Sequence, residues 1–487
     1  MTSTLDPRYL EFDGEEEQEG FAEPPLVRSP EPHPVLSKLA WGLAALSAVM
    51  FGVVAADVGG LNGTWAGFAL TFGLAMLATV GIAHAKYGGT AAGIKHDGIT
   101  FSAATYRGWS AWLLGIGLTL FYLVLYFNDE IAGWLVSLGL LAKPAEGASV
   151  QLLEPFYRIV DPVSRALGRG AADRYFLYGS LYTAAVLAFG VRMLYRYRHS
   201  RYHLIRTGSV MFFQLGFAFL VPAILRALAQ PEWYPTYFWP LAPDNLYREN
   251  FWGLIYNESP LGVVMAFWGI AMFFIATPIL TFFFGKRWYC SWVCGCGGLA
   301  ETAGDPYRHL SDKSTSAWHV ERWLIHSVLI AIVTVTVLLW VYPSGFSTGF
   351  RKVYGFLIVS MFSGVVGVGF YPVLGSRVWC RFGCPMAATL GILQRYFSRF
   401  RITTNGGQCM SCGNCSTYCE MGIDVRAYAQ QGKNIVRASC VGCGVCSAVC
   451  PRGVLKLENG KTTADRYDGA ATPVDQFLSD LRNPPRA

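Results

Sequence analysis

The chain has 487 residues, of which 53% are hydrophobic and only 15% charged, and its mean hydropathy is +0.34. Soluble domains carry about 25% charge, so the composition excludes an ordinary soluble enzyme and indicates an integral membrane protein with a small soluble part. The net charge of +7 does not point to nucleic acid, because the basic residues gather beside hydrophobic runs, as the flanks of membrane spans do.

Residues 1–35 are acidic and proline-rich and read as a disordered tail that cannot bury a core. Eight runs are long enough to cross a bilayer, which takes about 20 apolar residues. They fall near 36–56, 65–84, 109–127, 174–195, 208–228, 261–284, 323–343 and 353–375. The first run can itself span, so no cleaved leader is expected. A shorter run, 131–142, reads as an interfacial or re-entrant helix. Lys and Arg concentrate in the loops 85–108, 196–207 and 285–322, which puts those loops and both termini in the cytoplasm. The opposite loop, 229–260, is dense in Trp and Tyr and reads as an aromatic belt or a cap on the outer face.

The strongest signal lies between 409 and 451. Cys409, Cys412, Cys415 and Cys419 form one C-x2-C-x2-C-x3-C run, and Cys440, Cys443, Cys446 and Cys450 form a second. This is the spacing that holds 4Fe-4S clusters, with the fourth cysteine of each run crossing to the other cluster. One cluster then takes Cys409, Cys412, Cys415 and Cys450, and the other takes Cys440, Cys443, Cys446 and Cys419. Zinc sites use two spaced pairs, a different pattern. Pro451 follows the second run, whereas Glu420 stands at that place after the first.

The sixth and eighth runs end in a repeat, G-x-R-x-aromatic-C-x3-C, carried by Gly285, Arg287, Cys290 and Cys294 and again by Gly375, Arg377, Cys380 and Cys384. Two equivalent units are expected to bring these four thiols together at the cytoplasmic surface, as a metal site or a redox dithiol. Pro385 starts a helix behind Cys384, so the helix dipole should favour thiolate there, and Arg287 and Arg377 should add positive charge. Cys296 has no counterpart in the second copy. Residues 386–400 read as an amphipathic helix at the membrane surface. Haem is not expected. It wants two facing axial histidines, and His326 is the only histidine clearly inside a predicted span.

Together, the span-end cysteine repeat with Pro385 and the two ferredoxin runs resemble the polyferredoxin-like membrane proteins of the NapH/NosR/CcoG type, over about residues 261–457. The first copy departs from that pattern, with Gly295 in place of the proline. The expected architecture is a membrane all-α protein of about eight transmembrane helices with a C-terminal cytoplasmic α+β ferredoxin-like domain holding two clusters. Its parts would be a tail (1–35), a five-span domain (36–260), a three-span domain with the cysteine repeat (261–400), the ferredoxin-like domain (401–460) and a flexible tail (461–487). The resemblance implies a bacterial inner-membrane electron carrier whose partners are the lipid bilayer and a quinone or a redox protein. Two other roles fit the same residues: a redox-active assembly factor that handles a metal such as copper for an oxidase, and a redox sensor.

Overall fold

The computed structural model describes residues 33–88, 107–142, 150–256, 260–405 and 408–459. Among the described residues, eight helices are long and apolar enough to cross a membrane: α1 (Pro34–Ala55), α2 (Trp65–Tyr87), α3 (Trp109–Tyr126), α4 (Arg174–Arg196), α5 (Arg201–Ala227), α6 (Pro260–Phe284), α7 (Thr315–Val341) and α8 (Gly345–Val366). Helices are what such runs must form, since lipid offers nothing to an unpaired backbone group. The protein is a multi-pass membrane protein, helical almost throughout.

Four ends differ from the hydropathy reading. α5, α7 and α8 begin about two turns earlier, because these segments have protein to pack on. Ser314 Oγ caps α7 by accepting from the Ala317 N–H at 3.2 Å. α8 stops at Val366 rather than near 375, and the chain turns through Gly367 and Gly369 into a short helix, Tyr371–Leu374. The run 131–142 forms the helix Asn128–Ser137, too short to span.

The aromatic loop between α5 and α6 is not a surface cap. Trp268 Nε1, on α6, donates to Pro235 O at 2.9 Å, and Trp239 Nε1 donates to Thr336 Oγ1 of α7 at 3.0 Å. The Trp239 ring packs edge-on against Phe273, with centroids 4.5 Å apart. Phe273 lies about 20 Å along α6 from its start, so the loop enters the helix bundle. Phe238 and Trp239 pack between helices, whereas Tyr234, Trp252 and Tyr256 stay exposed.

The C-terminal unit holds one two-stranded antiparallel sheet, β1 (Phe400–Thr403) with β2 (Lys456–Asn459), so its β content is minimal. The two cysteine runs loop between these strands. Helix α9 (Pro385–Phe397) leads into β1 and packs against α6 and α7. One face of α9 is buried, with Met386, Ala387, Leu390 and Gln394 inside. Gln394 is the pin of this corner. Its Oε1 accepts from the Lys286 N–H at 2.7 Å, and its Nε2 donates to Cys440 O at 2.7 Å and Arg437 O at 3.0 Å.

Candidate metal centres

The two cysteine runs fold alike. In each, a glycine with positive φ (Gly413 at 76°, Gly444 at 78°) opens a one-turn helix that carries the third cysteine. Only glycine takes that conformation without strain. The runs then exchange their last cysteines. Cys409, Cys412, Cys415 and Cys450 line one cavity, with Pro451 and Val454 in its wall. Cys419, Cys440, Cys443 and Cys446 line a second, with Met421, Ile423 and Val441 in its wall. We call these the outer and inner quartets, because Cys412 is exposed whereas Cys440 and Cys446 are buried beside the helix bundle. Four soft sulfurs against a largely aliphatic wall are the donor set a 4Fe-4S cluster uses. Burial pushes the Cys415 and Cys440 thiols up to about 11 and holds Cys446 well above the usual thiol range.

The span-end repeat is also a structural repeat. Gly285 (φ 67°) and Gly375 (φ 94°) reverse the chain. Cys290 and Cys380 follow on a helical turn, and Cys294 and Cys384 stand extended just before the helices Gly295–Glu301 and α9. The four thiols share one apolar cluster with Phe238, Tyr289 and Trp379. All four are buried inside the protein, each 6–7% exposed. Tyr289 Oη donates to Thr236 O at 2.7 Å, so the in-folded aromatic loop closes over them. Depth can be read along α5. Arg206 donates to Cys443 O, whereas Gln214, eight residues on, lies beside Gly295. That is about 12 Å along the helix axis. Cys296 faces a small cavity lined by Tyr126, Tyr178, Tyr182 and Tyr371, which Cys380 also reaches.

Two electrostatic expectations fail here. Pro385 does start a helix, and the Ala387 N–H does donate to Cys384 Sγ at 3.4 Å. Burial outweighs that hydrogen bond, and with the neighbouring thiols it holds Cys384 well above the usual thiol range. Burial likewise pushes Cys290 up to about 12, against a partial offset from Lys286. Arg377 reaches the thiols, with Nη1 3.6 Å from Cys380 Sγ. Arg287 does not; its guanidinium stacks on Phe400, 4.1 Å from the ring centroid, and Lys286 takes its place.

Between the inner quartet and the span-end thiols lies a buried charge junction that motif reading missed. Arg308 donates to Asp305 Oδ1 at 2.7 Å and to Glu420 Oε2 at 2.6 Å, and Arg192 and Arg196 each reach Asp305 Oδ2 at 2.6 Å. Arg206 and Arg377 hold Glu301 at 2.5 and 2.7 Å. One signal was visible: Glu420 stands where the second run has its proline. Glu301, Glu420 and Cys443 bring three ligand atoms within 4.8 Å of one another, but both carboxylates are already held by arginines.

Burial disfavours charge on Asp305, yet Arg196, Arg192 and Arg308 outweigh it and hold the carboxyl far below the usual carboxylate range. A depressed folded value means stability that is full above the unfolded value, about 3.9, and is lost as pH falls below it. The melting temperature of the purified protein should therefore drop between about pH 5 and pH 3, and Asp305→Asn should flatten that drop. An unchanged acid profile in the variant would contradict the assignment.

Comparison with known proteins agrees with this chemistry. A family model described as a 4Fe-4S binding domain matches residues 265–314 and 354–404, and one described as a 4Fe-4S dicluster domain matches 408–455. YccM of Escherichia coli, named as an electron transport protein, is 25% identical over 181 residues, covering 32% of this chain and 47% of the relative. The methylamine utilization ferredoxin-type protein MauN of Methylobacillus flagellatus is 29% identical over 148 residues, covering 28% of this chain and 50% of the relative. The chain thus spans about half the length of the curated relatives it matches. No solved structure matches. The chain is an iron–sulfur membrane protein with 4Fe-4S ferredoxin-type domains, similar to one relative named for electron transport and to another named as ferredoxin-type.

Proposed function

We propose that the protein relays electrons between a redox partner at its outer quartet and a partner in or across the membrane. One 4Fe-4S cluster is held by Cys409, Cys412, Cys415 and Cys450, and the other by Cys419, Cys440, Cys443 and Cys446. A third redox centre or metal sits at Cys290, Cys294, Cys380 and Cys384. The observation that carries this reading is that cysteines of all three groups belong to or pack against one apolar cluster. Ser291 Oγ, beside Cys290, donates to Val441 O at 2.9 Å, and so ties the span-end loop to the inner quartet. When bound, the clusters supply one-electron chemistry, while the protein fixes their spacing and excludes water.

Within the ferredoxin-type proteins we favour the NapH/NosR/CcoG type, in a bacterial inner membrane with both quartets on the cytoplasmic side. The basic loops support that orientation. A cavity of about 370 Å³ between α7, α9 and the segment 428–439 supports a quinone as the membrane partner. Trp318, His326 and Tyr396 line it, and it reaches Cys380. Lys286, Glu321, Arg322, Arg381, Arg395 and Arg437 also line it, so the cleft is charged as well as aromatic.

Anaerobic purification should yield about eight irons and eight acid-labile sulfides per chain, four of each for every quartet. Dithionite should then produce low-temperature EPR signals. Iron well below that count, with no such signal, would remove the basis of the relay.

A further inference from the structure

The charge junction touches both the inner quartet and the span-end thiols. Arg377 Nη1 donates to Cys290 O at 3.2 Å and lies 3.6 Å from Cys380 Sγ. Its Nη2 reaches Glu301 Oε1 at 2.7 Å and Glu420 Oε1 at 3.0 Å. Glu420 follows Cys419 and lines the inner cavity. Arg206 Nη1 contacts Glu301 Oε2 and donates to Cys443 O, both at 2.5 Å. A continuous chain of contacts therefore runs from Cys380 through Arg377, Glu301 and Arg206 to Cys443.

The charges in this chain do not balance. Arg206, Arg308 and Arg377 face Glu301 and Glu420, and all five are 2% exposed or less. Asp305, the third carboxylate within reach, is shared by Arg308 with Arg192 and Arg196. Three guanidinium groups against two carboxylates leave one positive charge, and a buried charge has to be offset nearby. Among the described residues, Arg206 Nε and Nη2 and Arg377 Nε are buried donors with no hydrogen-bond partner. They belong to the two arginines that touch cysteines of the two sites. Glu301 Oε2 and Glu420 Oε1 are acceptors with no hydrogen-bond partner in the same junction, so what it lacks is negative charge, which thiolate-held iron–sulfur groups supply.

Reduction adds a negative charge to such a group, and a fixed cation in a low-dielectric interior favours the reduced form. Among the described residues, the cations lining the outer quartet are the exposed Arg426 and Arg452, and solvent and salt screen those. We infer that Arg377, with Arg206, sets the reduction potential of the inner centre above that of the outer one and couples it electrostatically to the span-end thiols. Both are positioning residues rather than ligands. The inference rests on the proposed relay.

The test is a potentiometric titration of the full-length, anaerobically purified protein, followed by EPR. The wave lost on Cys412→Ser identifies the outer cluster. Arg377→Gln should shift the inner wave to lower potential and leave the outer wave in place. Arg377→Lys, which keeps the charge, should retain most of the inner value. Arg377→Gln combined with Glu301→Gln removes one charge of each sign and should return the wave toward wild type. An unmoved inner wave at full iron content overturns the inference and leaves the relay standing, whereas iron-free wild-type protein overturns the relay itself. If Arg377→Gln does not fold, Arg206→Gln carries the same expectation, and an unmoved inner wave there is equally decisive.

Discussion

Replacing Arg308 with methionine should cost about 3–5 kcal/mol of stability, the usual consequence of leaving a buried ion pair half-filled. Arg308 is fully buried and lies within hydrogen-bonding distance of Asp305, Glu420 and the Glu301 carbonyl. Without it, Glu420 would keep only Arg377, and Asp305 would lose one of three arginines. The change should appear as a much lower melting temperature and as loss of the inner cluster, because Glu420 adjoins Cys419 and Ser311 Oγ donates to Glu420 O at 2.7 Å. Adding Glu420→Gln should recover part of the loss, since it removes one of the stranded charges. A single variant within about 1 kcal/mol of wild type would place Arg308 among the weak surface pairs and refute the junction's structural role.

Cys380→Ser and Cys384→Ser should have the second large effect, and it should be confined to turnover. The eight ferredoxin cysteines are untouched, so iron content and the two cluster signals should survive. Electron transfer between the clusters and a quinol analogue in proteoliposomes should fall by roughly 100-fold, the upper end of what losing even a supporting group around a metal costs. Full turnover in both variants would remove the span-end thiols from the route. Normal turnover together with a partner oxidase that lacks its metal would favour the assembly reading, in which the buried thiols carry a soft metal ion.

Much of this architecture is legible in the sequence. Hydropathy finds the eight helices because each needs only its own apolar length. Cysteine spacing finds the two runs because cluster geometry is local. What stays hidden depends on where side chains go. The residues Trp233–Trp239 look like an interfacial belt, and nothing local shows that the loop folds in against Phe273 and Tyr289. Arg196, Arg206 and Arg308 look like positive-inside flanks, and that reading leaves no reason to pair Arg196 with Asp305, Arg206 with Glu301 or Arg308 with Glu420, each more than 90 residues away. At Cys384 the local argument gets the proline and the capping N–H right. The outcome reverses because burial, a tertiary property, outweighs the hydrogen bond.

The depth of the span-end thiols has an electrical consequence. On the proposed route, an electron moving from the inner quartet to Cys294, next to Gly295, travels about 12 Å along α5, roughly two-fifths of a hydrocarbon core about 30 Å thick. A similar share of the transmembrane voltage acts on that step. Since a full crossing is worth about 2.3 kcal/mol per charge at 100 mV, the step would gain or lose about 0.9 kcal/mol at that voltage. Such a bias moves its equilibrium about fivefold, so the energised state of the membrane itself would set how readily electrons enter or leave the bundle.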